Sequence, residues 1–176
     1  MINLNNERLV ELEPDITIYN GKKISLGVDS FEEYKMWYEE SFIELAEKLY
    51  NKGICQHFYL ICSPQNERIS KKIINISKKN YFVDCSNLNL LGIAKVIKDS
   101  YIFIGNNSGP LNFASALGVR SYGLIANAPV SELKNSKIIP ISPDDYKDNV
   151  FNKNREEMKK LSVEKVLNNI LKSEDV

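Results

Sequence analysis

Apolar and polar positions along this chain follow two spacings in turn. Short apolar runs of strand length occupy residues 23–28, 57–62, 81–83, 101–104 and 119–125. Between them, apolar residues recur every three or four positions, the signature of a helix with one buried face. Residues 39–52 place Phe42, Leu45, Ala46 and Leu49 on such a face, with Gly53 as the stop. Residues 65–79 turn Ile69, Ile73 and Ile76 inward and leave Lys71, Lys72, Lys78 and Lys79 for solvent. Residues 88–98 are apolar round most of the circumference, which predicts a deeply buried helix. Residues 108–117 form a fourth helix, and after Pro129 the pattern weakens to a last short strand at 137–141. A helix over 162–172, capped by Ser162, closes the chain with Val163, Val166, Leu167, Ile170 and Leu171 on one stripe.

Strands alternating with helices of this length imply parallel βαβ units. The fold class is therefore α/β, a Rossmann-like doubly wound parallel sheet. Residues 1–23 carry sparse apolar positions around Glu13-Pro14-Asp15 and read as a linker or edge segment, leaving 24–176 as a single domain. In doubly wound sheets ligands bind beyond the carboxyl ends of the strands. Here those loops are 29–37, 63–67, 85–88, 105–112 and 126–132.

Composition narrows the function classes. The 176 residues carry 23 Lys and Arg against 23 Asp and Glu, a formal net charge of +0. Such a chain lacks the basic excess with which nucleic-acid binders displace counterions. No apolar run nears the ~20 residues of a membrane span, and residues 1–20 lack the basic start and apolar core of a signal peptide. Cys55, Cys62 and Cys85 form no CxxC pair and adjoin apolar runs, so they read as buried thiols of a reduced, cytoplasmic protein. His57 is the lone histidine and abuts an apolar run, so it reads as the start of a strand, and a His-rich metal site is excluded. The carboxylates Glu39, Glu40, Glu44 and Glu47 read as a solvated helix face rather than an acid–base pair.

The loop richest in chemistry is Gly105-Asn106-Asn107-Ser108-Gly109-Pro110-Leu111-Asn112, between a strand and a helix. Small residues let backbone approach a ligand, and a helix opening there offers unpaired N–H groups and a positive dipole end to phosphate. Pro110 fits the first helical turn. Ser108 either caps the helix or donates its hydroxyl to a phosphate oxygen. A tight turn with a Ser or Asn cap and no ligand fits the spacing equally well. The loop is neither a dinucleotide fingerprint nor a Walker loop.

From Gly105 to Val119 the chain resembles the signature of family-nine, heptosyltransferase-type glycosyltransferases, roughly G-x-D-S/T-G-x-x-H-x-A-A-A-x-G. Leu124-Ile125-Ala126-Asn127-Ala128-Pro129 stands where that family often has L-F-G-x-T-x-P. Lys35-Met36-Trp37-Tyr38 resembles its K-x-W-P segment. Ser63-Pro64-Gln65-Asn66-Glu67 resembles the loop whose acid faces the nucleotide, and the run 87–94 resembles the stretch before the signature strand. The likeness covers about residues 24–129 in order and spacing.

The resemblance implies the C-terminal half of a GT-B enzyme, which carries the donor nucleotide. The acceptor site and the catalytic general base, an Asp, would lie on an N-terminal domain that this chain is expected to lack, so no catalytic residue is assigned here. Lys35 matches the lysine at the donor diphosphate, Glu67 the carboxylate at the nucleoside, and Ser108 and Gly109, with Asn107, Pro110 and Asn112, the phosphate-holding turn. Trp37 reads as packing for the following helix. Asn107 replaces the family Asp and Asn112 the family His, so hydrogen bonding is kept while a charge and a proton relay are lost. The implied function is binding of a nucleotide sugar, ADP-heptose or another NDP-sugar, for transfer to a surface glycan or lipopolysaccharide-type acceptor, with no activity alone. No cofactor or metal is implied. The implied partners are the nucleotide sugar and an N-terminal glycosyltransferase half or a second copy of the chain. No nucleic acid is implied, and membrane contact would be peripheral, through the acceptor. A non-catalytic binding or assembly module, or half of another GT-B enzyme such as a sugar-nucleotide epimerase, are the alternatives.

Overall fold

Burying parallel strands requires helices on both faces of the sheet, and the sequence supplies them. The computed structural model describes residues 21–133, 137–148 and 151–173, so most of the expected linker lies outside the described residues. Among these, six strands form one parallel sheet: β1 (Lys23–Gly27), β2 (His57–Ile61), β3 (Phe82–Asp84), β4 (Ile102–Asn106), β5 (Ser121–Leu124) and β6 (Ile138–Ile141). Their order is β3-β2-β1-β4-β5-β6, with every pairing parallel. Lys23 already pairs with His57, so the sheet begins at the last residue of the expected linker. Pro140, which offers no N–H to a ladder, is accommodated because β6 is an edge strand paired only to β5.

The helices are α1 (Glu39–Asn51), α2 (Glu67–Ser77), α3 (Leu90–Lys98), α4 (Gly109–Ala116) and α5 (Val163–Ser173). One face of the sheet packs Leu26, Phe58, Leu60 and Ile104 with α1, α2 and α5, and the other packs Tyr59, Ile61 and Phe103 with α3 and α4. Helix α1 ends as expected at Gly53, whose φ of 72° suits the left-handed turn. The N–H groups of Gly53 and Ile54 return to the carbonyls of Tyr50 and Leu49, a Schellman closure. Ser162 caps α5 through a 3.2 Å bond from the Lys165 N–H.

Two packing expectations fail. Helix α3 is not deep: it buries Gly92, Val96 and Ile97 while Leu90 and Leu91 remain 69% and 53% exposed. Its apolar character is split between the core and the ligand-facing end of the sheet. In α2, Ile69 and Ile73 are buried, whereas Ile76 is exposed and Ile74 packs on the core instead. At 100° per residue Ile76 lies on the side of Ile69 and Ile73, so its exposure goes with its place in the last turn of the helix rather than with its angle.

The centre of the sheet is unusually tight. On the α3–α4 face β1 and β4 present Gly27 and Gly105, and the Phe103 ring fills the space between them. A Cβ on Gly105 would lie 2.9 Å from both Cα and O of Gly27 and 2.8 Å from Phe103 Cε1. Around Gly109 a Cβ meets nothing within 4 Å. Gly105→Ala is therefore expected to lower stability by about 1–3 kcal/mol through overpacking. Gly109→Ala should be near neutral, and urea unfolding of both variants measures the difference.

Candidate functional site

Strand order reverses between β1 and β4, and such a switch point leaves a crevice at the carboxyl ends of the strands. There the loops after β1, β2 and β4 surround a cleft of about 920 Å³. Its apolar wall is Phe31, Ile61, Leu88, Leu90, Ile93 and Phe113, so Leu90 and Ile93 of α3 line the cleft, while Leu91 does not. Its polar rim is Asp29, Ser30, Ser63, Gln65, Asn66 and Ser108, with Gly109 and Pro110 at the start of α4.

Asp29, 5% exposed, is the one charged side chain among the described residues that line the cleft. Its Oδ2 accepts from the Ser63 N–H at 2.8 Å, the Ser63 hydroxyl at 2.7 Å and Asn66 Nδ2 at 3.3 Å. These bonds tie the loop after β1 to the 3₁₀ turn Pro64–Asn66 after β2. The other oxygen, Oδ1, has no hydrogen-bond partner among the described residues.

Opposite stands the start of α4. Ser108 occupies the cap position in extended conformation, yet its hydroxyl makes no cap bond and has no partner. Asn107 is 9% exposed, and its Nδ2 is likewise buried and unpaired. With Asn106 Nδ2, these are three consecutive buried donors without a partner beside a helix N-terminus, where the dipole adds positive potential. Asn106 is fully buried, and its Oδ1 receives the Trp37 N–H at 2.8 Å. The Trp37 indole N–H donates to the Leu161 carbonyl at 2.9 Å, so Trp37 is core packing, as its sequence context implies. Arg155 completes the anchorage, donating to the carbonyls of Met36 and Trp37 at 3.1 and 3.5 Å and pairing with Glu33 and Glu39.

Of the residues proposed from sequence, Ser108, Gly109 and Pro110 line the cleft and Asn107 adjoins them. Lys35, Glu67 and Asn112 are not among its lining residues. Lys35 lies in the 3₁₀ turn Glu33–Lys35 and pairs with Glu32 at 2.6 Å. That bond, followed by one from the Tyr34 hydroxyl, holds the Glu32 carboxyl below its ordinary range. Glu67 opens α2 and binds Lys71 at 2.8 Å and Asn87 at 3.1 Å, which keeps it ionised in the same way. Asn112 donates back to the Ser108 carbonyl at 3.2 Å. His57 starts β2, at the opposite edge of the sheet, and desolvation lowers its pKa. Sequence reasoning did not single out Asp29, Asn66, Asn106 or Arg155. Asp29 was within reach, as a carboxylate directly after a strand; Arg155 has no local signal at all.

Among the described residues no group of three or more His, Cys, Asp or Glu is placed to hold a metal ion. No described helix is long and apolar enough to cross a membrane.

A parallel six-stranded sheet with helices on both faces and a cleft at its switch point defines a Rossmann-like, doubly wound domain. The model of glycosyltransferase family 9 (heptosyltransferase) matches residues 19–171, and the chain belongs to that family. In structure it is similar to ADP-heptose LPS heptosyltransferase II of E. coli, with TM-score 0.71 and 17% identity over 88% of this chain. It is also similar to E. coli heptosyltransferase WaaC with ADP, with TM-score 0.71 and 16% identity over 94% of this chain. A UDP-GlcNAc 2-epimerase from Methanocaldococcus jannaschii is more distant, with TM-score 0.55 and 15% identity over 86% of this chain and 40% of its own. The chain spans about half the length of the two heptosyltransferases, covering 48% of each. No curated protein sequence matches it.

The tethers around the cleft carry two expectations. Asn106→Ala leaves the Trp37 N–H unpaired in a dry setting and should cost about 1–3 kcal/mol; denaturant unfolding and faster amide exchange at Trp37 read this out. Burial pushes the Cys62 thiol up to about 11 and those of Cys55 and Cys85 up to about 12. All three stay protonated at pH 8, so iodoacetamide should label the native chain slowly and all three sites on unfolding. Because the folded pKa values are raised, this contribution to stability is complete below about pH 8.5, the unfolded thiol value, and is lost as pH climbs toward 11–12.

Proposed function

We propose that this chain is the donor-binding half of a glycosyltransferase. It holds an NDP-sugar, ADP-heptose foremost, for transfer to a surface glycan or lipopolysaccharide-type acceptor on the cytoplasmic side of a membrane touched only through that acceptor. The observation that carries the reading is the pair of unsatisfied donors, Asn107 Nδ2 and Ser108 Oγ, at the α4 start beside a large, mostly apolar cleft. A diphosphate would meet the helix dipole and draw both buried donors toward it by a turn of their side chains, while the apolar wall would take a nucleobase. WaaC, a family relative of similar fold, is described with ADP bound.

In the reaction, an acceptor hydroxyl attacks the anomeric carbon as the bond from that carbon to the diphosphate oxygen breaks. The electron pair leaves on the diphosphate, and the hydroxyl proton passes to a base. That base is assigned to an N-terminal half or another subunit closing over the cleft, because the family resemblance places it there. The developing charge on the leaving group is met by Asn107, Ser108 and the α4 start. Lys35 joins them when its pairing with Glu32 opens, and Glu67 stands at the nucleoside end. No metal is required in this scheme.

The test is calorimetric titration of the chain with ADP, UDP and GDP. Binding of ADP, weakened about tenfold or more in Asn107→Ala or Ser108→Ala, is the expected result. Heat with none of the three overturns the reading. Selective binding of UDP favours the second reading, half of a sugar-nucleotide epimerase, which the likeness to UDP-GlcNAc 2-epimerases supports. The isolated chain should show no transfer; turnover would overturn the assignment of the base to another half.

A further inference from the structure

A second pocket, of about 440 Å³, adjoins the cleft and shares Ser30, Phe31 and Asn66 with it. It lies between the loop after β1 and the first turns of α2. Five charged side chains line it, Arg68, Lys72 and Arg155 against Glu33 and Glu39. Arg155 is spent on structure, bonded to the Met36 and Trp37 carbonyls and paired with both carboxylates. Lys72 is shared between Glu39 at 3.4 Å and Glu40 at 3.3 Å, long pairs of an exposed amine that contribute little in water. Arg68 makes no ion pair or hydrogen bond among the described residues. It is the second residue of α2, where the helix dipole disfavours a cation, so neither a partner nor the helix accounts for it. Arg68 and Lys72 stand four residues apart on one face of α2, two cationic heads within one turn of each other. Phe31, wholly exposed, stands at the junction of pocket and cleft, and an aromatic ring left in water gains by being covered.

We infer that this pocket receives the anionic group, a carboxylate or a phosphate, of a charged sugar in the acceptor. The inference rests on the donor-binding reading and extends it, since the donor half then reads part of the acceptor itself. A guanidinium and an ammonium side by side suit either anion, the first through its fork and the second as a point charge. With the nucleotide sugar in the cleft, the acceptor sugar covers Phe31 and its anionic group enters between Arg68 and Lys72. The pocket adjoins the cleft, so donor and acceptor are held at the same time.

The experiment follows the Arg68 Nε–H and the backbone amides of residues 66–72 by NMR. The chain is titrated with methyl glucuronide, glucose 6-phosphate, inorganic phosphate and methyl glucoside, with and without a saturating amount of whichever of ADP, UDP and GDP binds. One or both charged sugars should shift these signals saturably, with a dissociation constant of about 1–10 mM, and methyl glucoside should not. Saturating nucleotide should change that constant by less than about twofold, and Arg68→Gln should weaken it about fivefold or more, with circular dichroism confirming the fold. Displacement of the charged sugars by the nucleotide overturns the inference, because the pocket then belongs to the donor. So does inorganic phosphate binding as tightly as glucose 6-phosphate, which marks an ion site without sugar recognition, and so does an unchanged affinity in Arg68→Gln. A chain that binds nucleotide but neither charged sugar overturns this inference alone. A chain that binds no nucleotide overturns the donor-binding reading, and the assignment to an acceptor with it.

Discussion

The close approach of β1 and β4 at Gly27 and Gly105 is the constraint on which the rest of the structure depends. Backbones that near leave no room for a Cβ, and the Phe103 ring closes the gap from the α3–α4 side. The two strands are paired in register, so the residues just after them, Asp29 on one side and Asn107 and Ser108 on the other, emerge beside each other. The chain turns to opposite faces of the sheet after these strands, because α1 covers one side and α4 the other. The crevice between those departures is the cleft, which opens just beyond the close approach of the two strands.

Polar groups are distributed unequally around that cleft. Asp29 and Asn106 spend hydrogen bonds on structure, the first joining the β1 and β2 loops and the second gripping Trp37. Asn107 and Ser108 spend none. Buried donors in folded proteins are satisfied in the great majority of cases, and three consecutive exceptions, Asn106 Nδ2, Asn107 Nδ2 and Ser108 Oγ, gather at this helix start. Replacing the Asp of the family signature with Asn107 removes negative charge from this rim. Among the described residues, the only charge lining the cleft is that of Asp29.

The fold was legible in sequence because both periodicities are strong and Gly53, Ser162 and Pro110 punctuate them as their chemistry requires. The misjudged helix, α3, shows where periodicity fails. Hydrophobicity round a helix reports contact with something other than water, and here part of that contact is the cleft wall rather than the core. The α4 loop was legible because it combines small residues with a helix start. Lys35 and Glu67 were placed by family likeness alone, and the structure gives each an ion-pair partner that no local pattern announces. Asp29 escaped notice because a carboxylate after a strand has no motif. Its meaning arises only when the Ser63 and Asn66 donors come to it from 34 and 37 residues away.

The anchorage of Trp37 bears on the order of events during synthesis. Its indole reaches a carbonyl 124 residues further along, and the neighbouring Met36 carbonyl is held by Arg155, 119 residues away. The sheet can pair through β4 with these bonds still unmade. The loop after β1, and with it one wall of the cleft, gains its final support only when the segment at 155–161 has left the ribosome. A nascent chain arrested before that point lacks both bonds, so this wall of the cleft is completed last.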